Sequence, residues 1–409
     1  MLRKATLSTF VGVFITIATT STPNTLWANP IIPIPAQPQA TIAPAVPSID
    51  ANGYILIDGA SGKVLAEKNA DARMAPASLT KLMSLYIISS ALKNGAIHLD
   101  DKVRISTKAW QTGGSRMFVK VGDEVPAREL MEGIAVASGN DASVAMAEYV
   151  AGTEESFASM MNNQAKILGM NSSHFMDSTG LPNANHFSTP RDFATLAQAL
   201  TRDFPEDYRL FSEKWFTYNG IRQPNRNRLL WRYQYADGLK TGHTDDAGYC
   251  LVASAVKDGT RLISVIMGAP SDTARTEDSI RLLTYGFRFF ETHKLYGANT
   301  VLTHARIWKG KQKEIALGVT SDMYATIPAG QYKNIQATLD VNDPLTAPIT
   351  KGQAYGNINV VLNNQVILSK PLVALEDDPR GGVFRRISDA MSFSFHKLFS
   401  HPTEKVNNG

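Results

Sequence analysis

The chain has 409 residues, of which 44% are hydrophobic and 19% are charged, and its formal net charge is +4. This length allows two domains with sizeable cores, and so small a net charge gives no reason to expect binding of nucleic acid. The single cysteine, Cys250, excludes an intramolecular disulfide and lies in an apolar run, where it is expected to fill a core.

The first 28 residues are predicted to be a secretion signal. Arg3 and Lys4 precede an apolar stretch from Phe10 to Ala18, and cleavage is expected after Ala28. An uncleaved anchor is the alternative, although the stretch is short for a membrane span of about 20 residues. In either case the rest of the chain is expected to be exported. A proline-rich spacer over residues 29–48 follows, and it should lack a core of its own.

Residues 49–292 are predicted to form an α/β domain with an antiparallel sheet flanked by helices. A hairpin signal surrounds Gly59-Ala60-Ser61-Gly62, and three strands return near the end of the domain. The helices are predicted to begin near Ser78 and to cover 127–137, 142–150, 154–168, 189–201 and 273–292, and the last two strands are predicted at 247–256 and 261–267.

Residues 293–377 are predicted to form a small all-β domain, a sandwich without a chemical cluster. A spacer or a partner surface is the expected role. Its strands are predicted at 300–307, 314–319, 323–327, 335–341 and 358–368.

Residues 378–409 are predicted to form an amphipathic tail that lies on a membrane surface, with polar and cationic side chains opposite an apolar face. A helix packed on the β domain is the alternative. The apolar face consists of Val383, Phe384, Ile387, Met391, Phe395 and Leu398.

The most informative stretch of the first domain is Ala75-Pro76-Ala77-Ser78-Leu79-Thr80-Lys81. Residues three apart lie on one helix face, so Ser78 and Lys81 can touch, and a poorly hydrated lysine can accept the serine proton. This spacing alone is not specific, because Ser90/Lys93, Ser254/Lys257 and Ser394/Lys397 share it. A helix cap would explain Ser78 equally well.

Two further motifs make Ser78 stand out. Ser138-Gly139-Asn140 follows sixty residues later, in a predicted turn, and Lys240-Thr241-Gly242 follows about a hundred residues after that. In this order and spacing the three motifs resemble the active-site set of the penicillin-recognising serine enzymes, which are DD-peptidases and serine β-lactamases. The surrounding residues resemble the D-alanyl-D-alanine carboxypeptidases among the low-molecular-mass penicillin-binding proteins.

The resemblance implies an acyl transfer in which Ser78 attacks a peptide ending in D-Ala-D-Ala and Lys81 is the general base. Ser138 would relay a proton to the leaving amine, and Asn140 would hold the substrate amide. The backbone N–H groups of Ser78 and His243 would form the oxyanion hole.

Recognition of the free carboxylate is expected from the second half of the site. Lys240 offers positive charge, Thr241 a hydroxyl and Gly242 a close backbone approach. Arg226 is a further candidate, which the family favours over Arg228, although a solvated surface position is an equally good explanation of Arg226.

No cofactor or metal is predicted, since the eight histidines show no ligand spacing and no phosphate loop follows a strand. The Glu-x-x-Leu-Asn motif of class A β-lactamases has no counterpart at His174 to Gly180, so we expect penicillin to acylate Ser78 and to remain bound.

The predicted function is a serine-type carboxypeptidase that removes the terminal D-alanine of peptidoglycan stem peptides in the periplasm, attached by its tail to the outer face of the inner membrane. The expected partners are these peptides, β-lactams as inhibitors and the membrane surface. A DD-endopeptidase and a weakly active membrane-bound morphology or binding protein remain alternatives. The sequence does not decide whether the chain forms a homodimer.

Overall fold

The computed structural model describes residues 44–389. The predicted signal, most of the predicted spacer and residues 390–409 of the predicted tail lie outside the described residues. The elements of the first part are, in chain order, β1 (Gly53–Asp58), β2 (Val64–Lys68), α1 (Lys81–Lys93), β3 (Lys102–Arg104), α2 (Thr107–Gln111), β4 (Glu124–Pro126), α3 (Ala127–Glu132), α4 (Asn140–Ala151), α5 (Glu154–Leu168), α6 (Pro190–Asp203), β5 (Trp215–Tyr218), β6 (Ile221–Pro224), α7 (Leu229–Arg232), β7 (Ala236–Thr244), β8 (Gly248–Lys257), β9 (Thr260–Ala269) and α8 (Asp272–Phe289).

The main sheet has five strands in the order β2-β1-β9-β8-β7, and all its neighbours are antiparallel. Strands β8 and β9 are apolar on both faces because both faces are covered. Leu282 and Leu283 of α8 pack on one face, and Leu82 of α1 belongs to the core on the other face. Strand β7 lies at the edge of the sheet, and within residues 44–389 no strand pairs with its outer side.

Helix α1 lies at the centre of the helical half. Ten of its thirteen residues are buried, which agrees with a sequence that is apolar almost all round. A single 3₁₀ turn, Ala77–Thr80, precedes the helix and carries Ser78.

The second part consists almost entirely of strands. These are β10 (Phe290–Tyr296), β11 (Val301–Trp308), β12 (Glu314–Gly318), β13 (Met323–Pro328), β14 (Ile335–Val341), β15 (Leu345–Thr346), β16 (Ala354–Leu362) and β17 (Gln365–Ala374). A six-stranded sheet, β14-β16-β17-β12-β11-β15, faces the pair β10-β13. Met323 packs with Ile358 and Val360 between these layers, so the predicted fold class, an α/β domain followed by an all-β domain, is confirmed.

The two parts meet through hydroxyl groups at the turn between β1 and β2. Thr292 Oγ1 donates to Asp58 Oδ2 (2.7 Å), and the Ser61 and Thr326 hydroxyls lie 2.6 Å apart. Lys63 adds a bond from its Nζ to the Thr326 carbonyl oxygen (3.0 Å). Side chains of the first hairpin thus connect the α/β part to the β domain.

Three predicted elements were wrong in detail. The helix predicted over 273–292 ends at Phe289, because Phe290 begins β10 and pairs with Pro328. The single strand predicted over 358–368 is two strands, since Asn363 and Asn364 adopt positive φ (51° and 64°) and reverse the chain between β16 and β17. Asn140 was placed in a turn but is the first residue of α4.

Candidate active site

Ser78 lies in a constrained turn at the start of α1. Ala77, the residue before it, has φ +46°, a left-handed conformation that is costly for a residue with a Cβ. Gly180 packs directly against this turn: a Cβ at Gly180 would lie 1.8 Å from the Ala77 carbonyl oxygen. Tertiary contacts therefore hold the serine in place more firmly than local helix propensity would.

Lys81 is fully buried and reaches three oxygen atoms. Its Nζ lies 2.9 Å from Ser78 Oγ, 2.6 Å from Asn140 Oδ1 and 2.9 Å from the Thr179 carbonyl oxygen. None of these partners is a carboxylate. The predicted contact of Ser78 with Lys81 is thus present, and Asn140 from the second motif joins it.

The electrostatic setting of Lys81 suits a proton acceptor. Burial disfavours its charged form and lowers its pKa to about 7, while the negative charges of Asp177 and Asp141 limit the fall. An amine with this pKa is about half neutral near pH 7, and the neutral amine can take the proton of Ser78.

Both polar side chains of the second motif are buried, and Asn140 contacts Lys81. Ser138 is 3% exposed and has φ +61°, a left-handed position that ends the π-helical turn Gly133–Ala137. Asn140 uses both ends of its amide, since Oδ1 accepts from Lys81 and Nδ2 donates to the Gly113 carbonyl oxygen (2.6 Å). The amide is therefore oriented before any substrate enters.

The third motif lies on the edge strand β7, next to the Ser78 turn. A Cβ on Gly242 would lie 3.0 Å from the Pro76 carbonyl oxygen and 3.2 Å from Ala77 Cβ, so only glycine permits this approach without displacement. Arg275 on α8 donates to the Gly242 carbonyl oxygen (2.8 Å) and fixes the strand from behind.

Lys240 is 1% exposed, and Thr241 is buried beside it. Nζ of Lys240 donates to the Thr241 carbonyl oxygen (3.2 Å), and no ion pair of Lys240 occurs within residues 44–389. Burial, together with the positive charges of Lys81, Arg275 and Arg226, moves its pKa well below the ordinary lysine value. An incoming carboxylate would reverse this effect and favour the charged form.

The remaining two predicted residues lie at the rim. Arg226 is exposed, but its charge reaches Lys240, and its backbone N–H donates to the Val136 carbonyl oxygen (3.4 Å) just before the second motif. His243 is exposed on β7, and its ring packs on that of Tyr249 with 4.0 Å between centroids. Hydrogen bonds thus join Ser78, Lys81 and Asn140 in one cluster, and Gly242 of the third motif packs against the Ser78 turn.

The groups that stabilise the shape of this cleft were not predicted from the sequence. The Asp141 carboxylate accepts backbone N–H bonds from Met117 and Phe118 (both 2.9 Å) and from Val119 (3.3 Å). It thereby fixes the segment that presents the Gly113 carbonyl oxygen to Asn140. Asp141 follows the second motif directly, and this position was the only available sign of its role.

Asp177 supports Lys81 from the other side. Its Oδ1 accepts from the backbone N–H groups of Thr179 and Gly180 (both 2.7 Å), and the turn so formed directs the Thr179 carbonyl oxygen at Lys81. Burial opposes the charge of Asp177, but the neighbouring His186 and these N–H groups outweigh it and lower its pKa to about 2. His186 Nδ1 lies 3.6 Å from Asp177 Oδ2.

Family models match both parts of the chain. The D-alanyl-D-alanine carboxypeptidase family matches residues 39–271, and the C-terminal domain of penicillin-binding protein 5 matches residues 290–380. The chain belongs to the D-alanyl-D-alanine carboxypeptidase family. Within that family, the carboxypeptidase DacC of Escherichia coli is 47% identical over 361 residues, covering 86% of this chain and 90% of DacC.

Solved structures of family members share this fold. Penicillin-binding protein 5 of Haemophilus influenzae is 40% identical with a TM-score of 0.80, covering 82% of this chain and all of that chain. Penicillin-binding protein D2 of Listeria monocytogenes, solved in an ampicillin-bound form, is 30% identical with a TM-score of 0.56, covering 60% of this chain and all of that one. The resemblance stated from the three motifs is confirmed at the level of the family.

Residues 44–389 contain neither a cluster of metal ligands nor a membrane-spanning helix. No three or more His, Cys, Asp or Glu side chains converge there as metal ligands would. Over the same residues, no helix has both the length and the apolar character needed to cross a bilayer.

Proposed function

We propose that this protein is a serine-type D-Ala-D-Ala carboxypeptidase that removes the terminal D-alanine from peptidoglycan stem peptides and is acylated at Ser78 by penicillins. The observation that carries the proposal is the 2.9 Å contact between Ser78 Oγ and the Nζ of a fully buried Lys81. Membership of the carboxypeptidase family supplies the substrate class.

In the first step, neutral Lys81 takes the hydroxyl proton as Ser78 Oγ attacks the carbonyl of the penultimate D-alanine. The oxyanion is held by the backbone N–H groups of Ser78 and His243. Ser138 relays a proton to the amine of the departing D-alanine, so the C–N bond breaks and an ester on Ser78 remains.

In the second step, water attacks that ester, Lys81 again accepts the proton, and the shortened peptide leaves with Ser78 regenerated. A penicillin cannot release its leaving group in this way, because its amine stays attached through the opened ring and continues to occupy the cleft. The long-lived adduct follows from that geometry.

Recognition of the free carboxylate is assigned to Lys240, Thr241 and Arg226. Within residues 44–389, Lys240 is buried without a carboxylate partner and is subject to the positive charges of Lys81, Arg275 and Arg226, a setting that an anionic ligand would relieve. Strand β7 is an edge strand, so an extended peptide can add to it through backbone hydrogen bonds.

The proposal places the enzyme in the periplasm on the outer face of the inner membrane, with residues 1–28 as signal and the tail as anchor. The start of the tail is helical over residues 383–389, and Val383, Phe384 and Ile387 are 67%, 92% and 55% exposed. Arg385, by contrast, turns back to the β domain and donates to the Gln312 carbonyl oxygen (2.7 Å). An apolar face directed away from the protein is what an interfacial helix requires.

Intact-mass analysis after brief penicillin exposure, combined with D-alanine release from a diacyl-L-Lys-D-Ala-D-Ala peptide, tests the activity. Wild type should gain one penicillin mass and release D-alanine, and Ser78→Ala should do neither. Ser90→Ala is the matched control, because it removes the serine of another Ser-x-x-Lys pair on the same helix. An adduct without release would favour the endopeptidase or binding-protein alternatives, and absence of any adduct would refute the proposal.

The anchor has its own test. Deletion from Gly382 onward should move the mature protein from the membrane pellet to the soluble fraction with D-alanine release unchanged. Persistence in the pellet would contradict the assigned role of the tail.

A further inference from the structure

The β domain has a loop with three lysines at the place where the tail leaves it. This lysine loop, Lys309-Gly310-Lys311-Gln312-Lys313, connects β11 to β12 and contains no acidic residue. Lys311 and Lys313 are exposed, and Lys309 is half-buried. Like charges this close together repel one another, so the loop favours an anionic partner.

Backbone contacts join the lysine loop to the segment that leads into the tail. The Gly381 N–H donates to the Lys309 carbonyl oxygen (2.9 Å), and the Lys311 N–H donates to the Pro379 carbonyl oxygen (3.0 Å). Gly381 packs so closely on the loop that a Cβ there would overlap the Gly310 carbonyl oxygen. The loop and the first residues of the tail therefore form one continuous surface.

The helix at the start of the tail, residues 383–389, contacts the same loop through its polar face. Arg385 Nη2 donates to the Gln312 carbonyl oxygen (2.7 Å), and Asp389 Oδ2 accepts from the Lys309 N–H (2.7 Å). At 100° per residue, Arg385 and Asp389 lie on the side of the helix opposite the exposed Val383, Phe384 and Ile387. The apolar side chains thus point away from the lysine loop, which lies along the back of the helix.

Positive charge without a partner is concentrated at this end of the β domain. Five cations of the loop and the tail form no ion pair within residues 44–389, namely Lys309, Lys311, Lys313, Arg380 and Arg386. The only acidic residues of segments 309–313 and 378–389 are Asp378, which is fully buried, and Asp389, which is half-buried. The exposed charge of these two segments is therefore positive.

We infer that the lysine loop is a second membrane contact, which binds the headgroups of anionic phospholipids while the apolar face of the tail helix enters the interface. An interfacial helix is buried about 5–10 Å deep and is about 10 Å across, so a loop along its back lies at the depth of the headgroups. Lysine stems are long enough to place their ammonium groups on lipid phosphates. The inference rests on the proposed anchoring role of the tail and adds a lipid class and a site outside the tail.

Flotation of the mature protein with vesicles of phosphatidylcholine, with and without phosphatidylglycerol, tests the inference. Wild type should bind the anionic vesicles more tightly, and this preference should shrink as salt rises from about 50 to about 500 mM. Combined Lys309→Gln, Lys311→Gln and Lys313→Gln should lower the affinity for anionic vesicles about fivefold for each lysine, or about a hundredfold in total. Affinity for the neutral vesicles should not change.

The matched control removes the same amount of charge from the α/β part. Lys102, Lys120 and Lys166 are exposed there, and their combined replacement by glutamine should leave the affinity for both kinds of vesicle unchanged. Phe384→Ser should weaken binding to both kinds, because it removes the most exposed apolar side chain of the tail helix. D-alanine release from a soluble peptide should equal that of wild type in every variant and verifies that each is folded.

The outcomes separate failure of the inference from failure of the anchor. Equal affinity of wild type for the two kinds of vesicle, or wild-type affinity of the lysine-loop variant for anionic vesicles, would overturn the inference. Wild-type affinity of Phe384→Ser for anionic vesicles would also overturn it, since the loop would then attract any polyanion without insertion of the helix. If wild type binds neither kind of vesicle, the proposed anchor itself fails.

Discussion

Lysine side chains have opposite environments in the cleft around Ser78 and in the β domain. In the β domain, Lys294 meets Asp322 at the surface (2.7 Å), and the contact raises the pKa of the lysine. In the cleft, Lys81 and Lys240 are buried without a carboxylate in contact, and their pKa values fall. The first arrangement serves folding and solubility, whereas the second costs stability and creates reactivity.

Left-handed backbone at non-glycine residues occurs in both regions. Ala77 and Ser138, which flank or form the reacting groups, have positive φ although neither is glycine. In the β domain, Asn363 and Asn364 also have positive φ, but they form a hairpin turn in which asparagine is tolerated. Lys309 of the β domain has φ +61° as well, so positive φ by itself does not distinguish the two regions.

The largest expected effect comes from removal of the base. Lys81→Met should lower D-alanine release by a factor of about 100 to 10,000, because a general base contributes that much to the rate. Lys93→Met, at the exposed end of the same helix, should have no effect on release. Activity of Lys81→Met close to that of wild type would show that another group accepts the Ser78 proton.

The next effect concerns the carboxylate site. Lys240→Met should lower kcat/KM about 10- to 100-fold, the contribution of a hydrogen bond to a charged group. Lys294→Met removes the ion-paired lysine of the β domain and should leave kcat/KM unchanged. Steady-state kinetics on one peptide compares the two variants, and equal effects would contradict the distinction between the regions.

Two glycine substitutions compare how closely the backbone is packed in the two regions. Gly242→Ala should push β7 away from the Ser78 turn and slow acylation about tenfold, since small displacements of reacting groups are costly. Gly330 in the β domain has φ +82° and open space around it, so Gly330→Ala should cost about 1 kcal/mol of stability and no activity. Thermal unfolding measures the stability of each variant, and acylation rates measure its activity. Slower acylation in Gly330→Ala would refute the comparison.

The smallest effect is a shift in pH dependence. The Asp177 charge raises the pKa of Lys81, so Asp177→Asn should lower that pKa and move the acidic limb of the acylation profile to lower pH. Asparagine keeps an oxygen that can accept the bonds from Thr179 and Gly180. Asp322→Asn in the β domain should leave the limb in place, and an unchanged limb in Asp177→Asn would remove Asp177 from this role.

The sequence predicted those parts of the molecule that local pattern determines. Helix α5 begins and ends at the predicted residues, 154–168, and β8 and β9 fall where strands are predicted, at 247–256 and 261–267. The three motifs predicted the contact of Ser78 with Lys81, because their residue types and order are rare in combination.

Contacts between segments that are far apart in the sequence could not be predicted from it. The Gly113 carbonyl oxygen on Asn140, the Thr179 carbonyl oxygen on Lys81 and the Arg275 guanidinium on Gly242 join residues that are 27, 98 and 33 positions apart. All three use backbone carbonyl oxygens, which every residue has, so no residue type marks the acceptors. Only the folded chain shows which carbonyl groups complete the cleft.

The most direct test of the account is the pH dependence of penicillin acylation, measured by intact mass on wild type and Asp177→Asn. We predict that the wild-type rate rises with pH through a single limb near pH 7, as Lys81 loses its proton, and that the limb moves to lower pH in Asp177→Asn. A limb near pH 10, the ordinary value for lysine, or a rate that is flat between pH 5 and 9, would contradict the claim that a buried, neutral Lys81 activates Ser78.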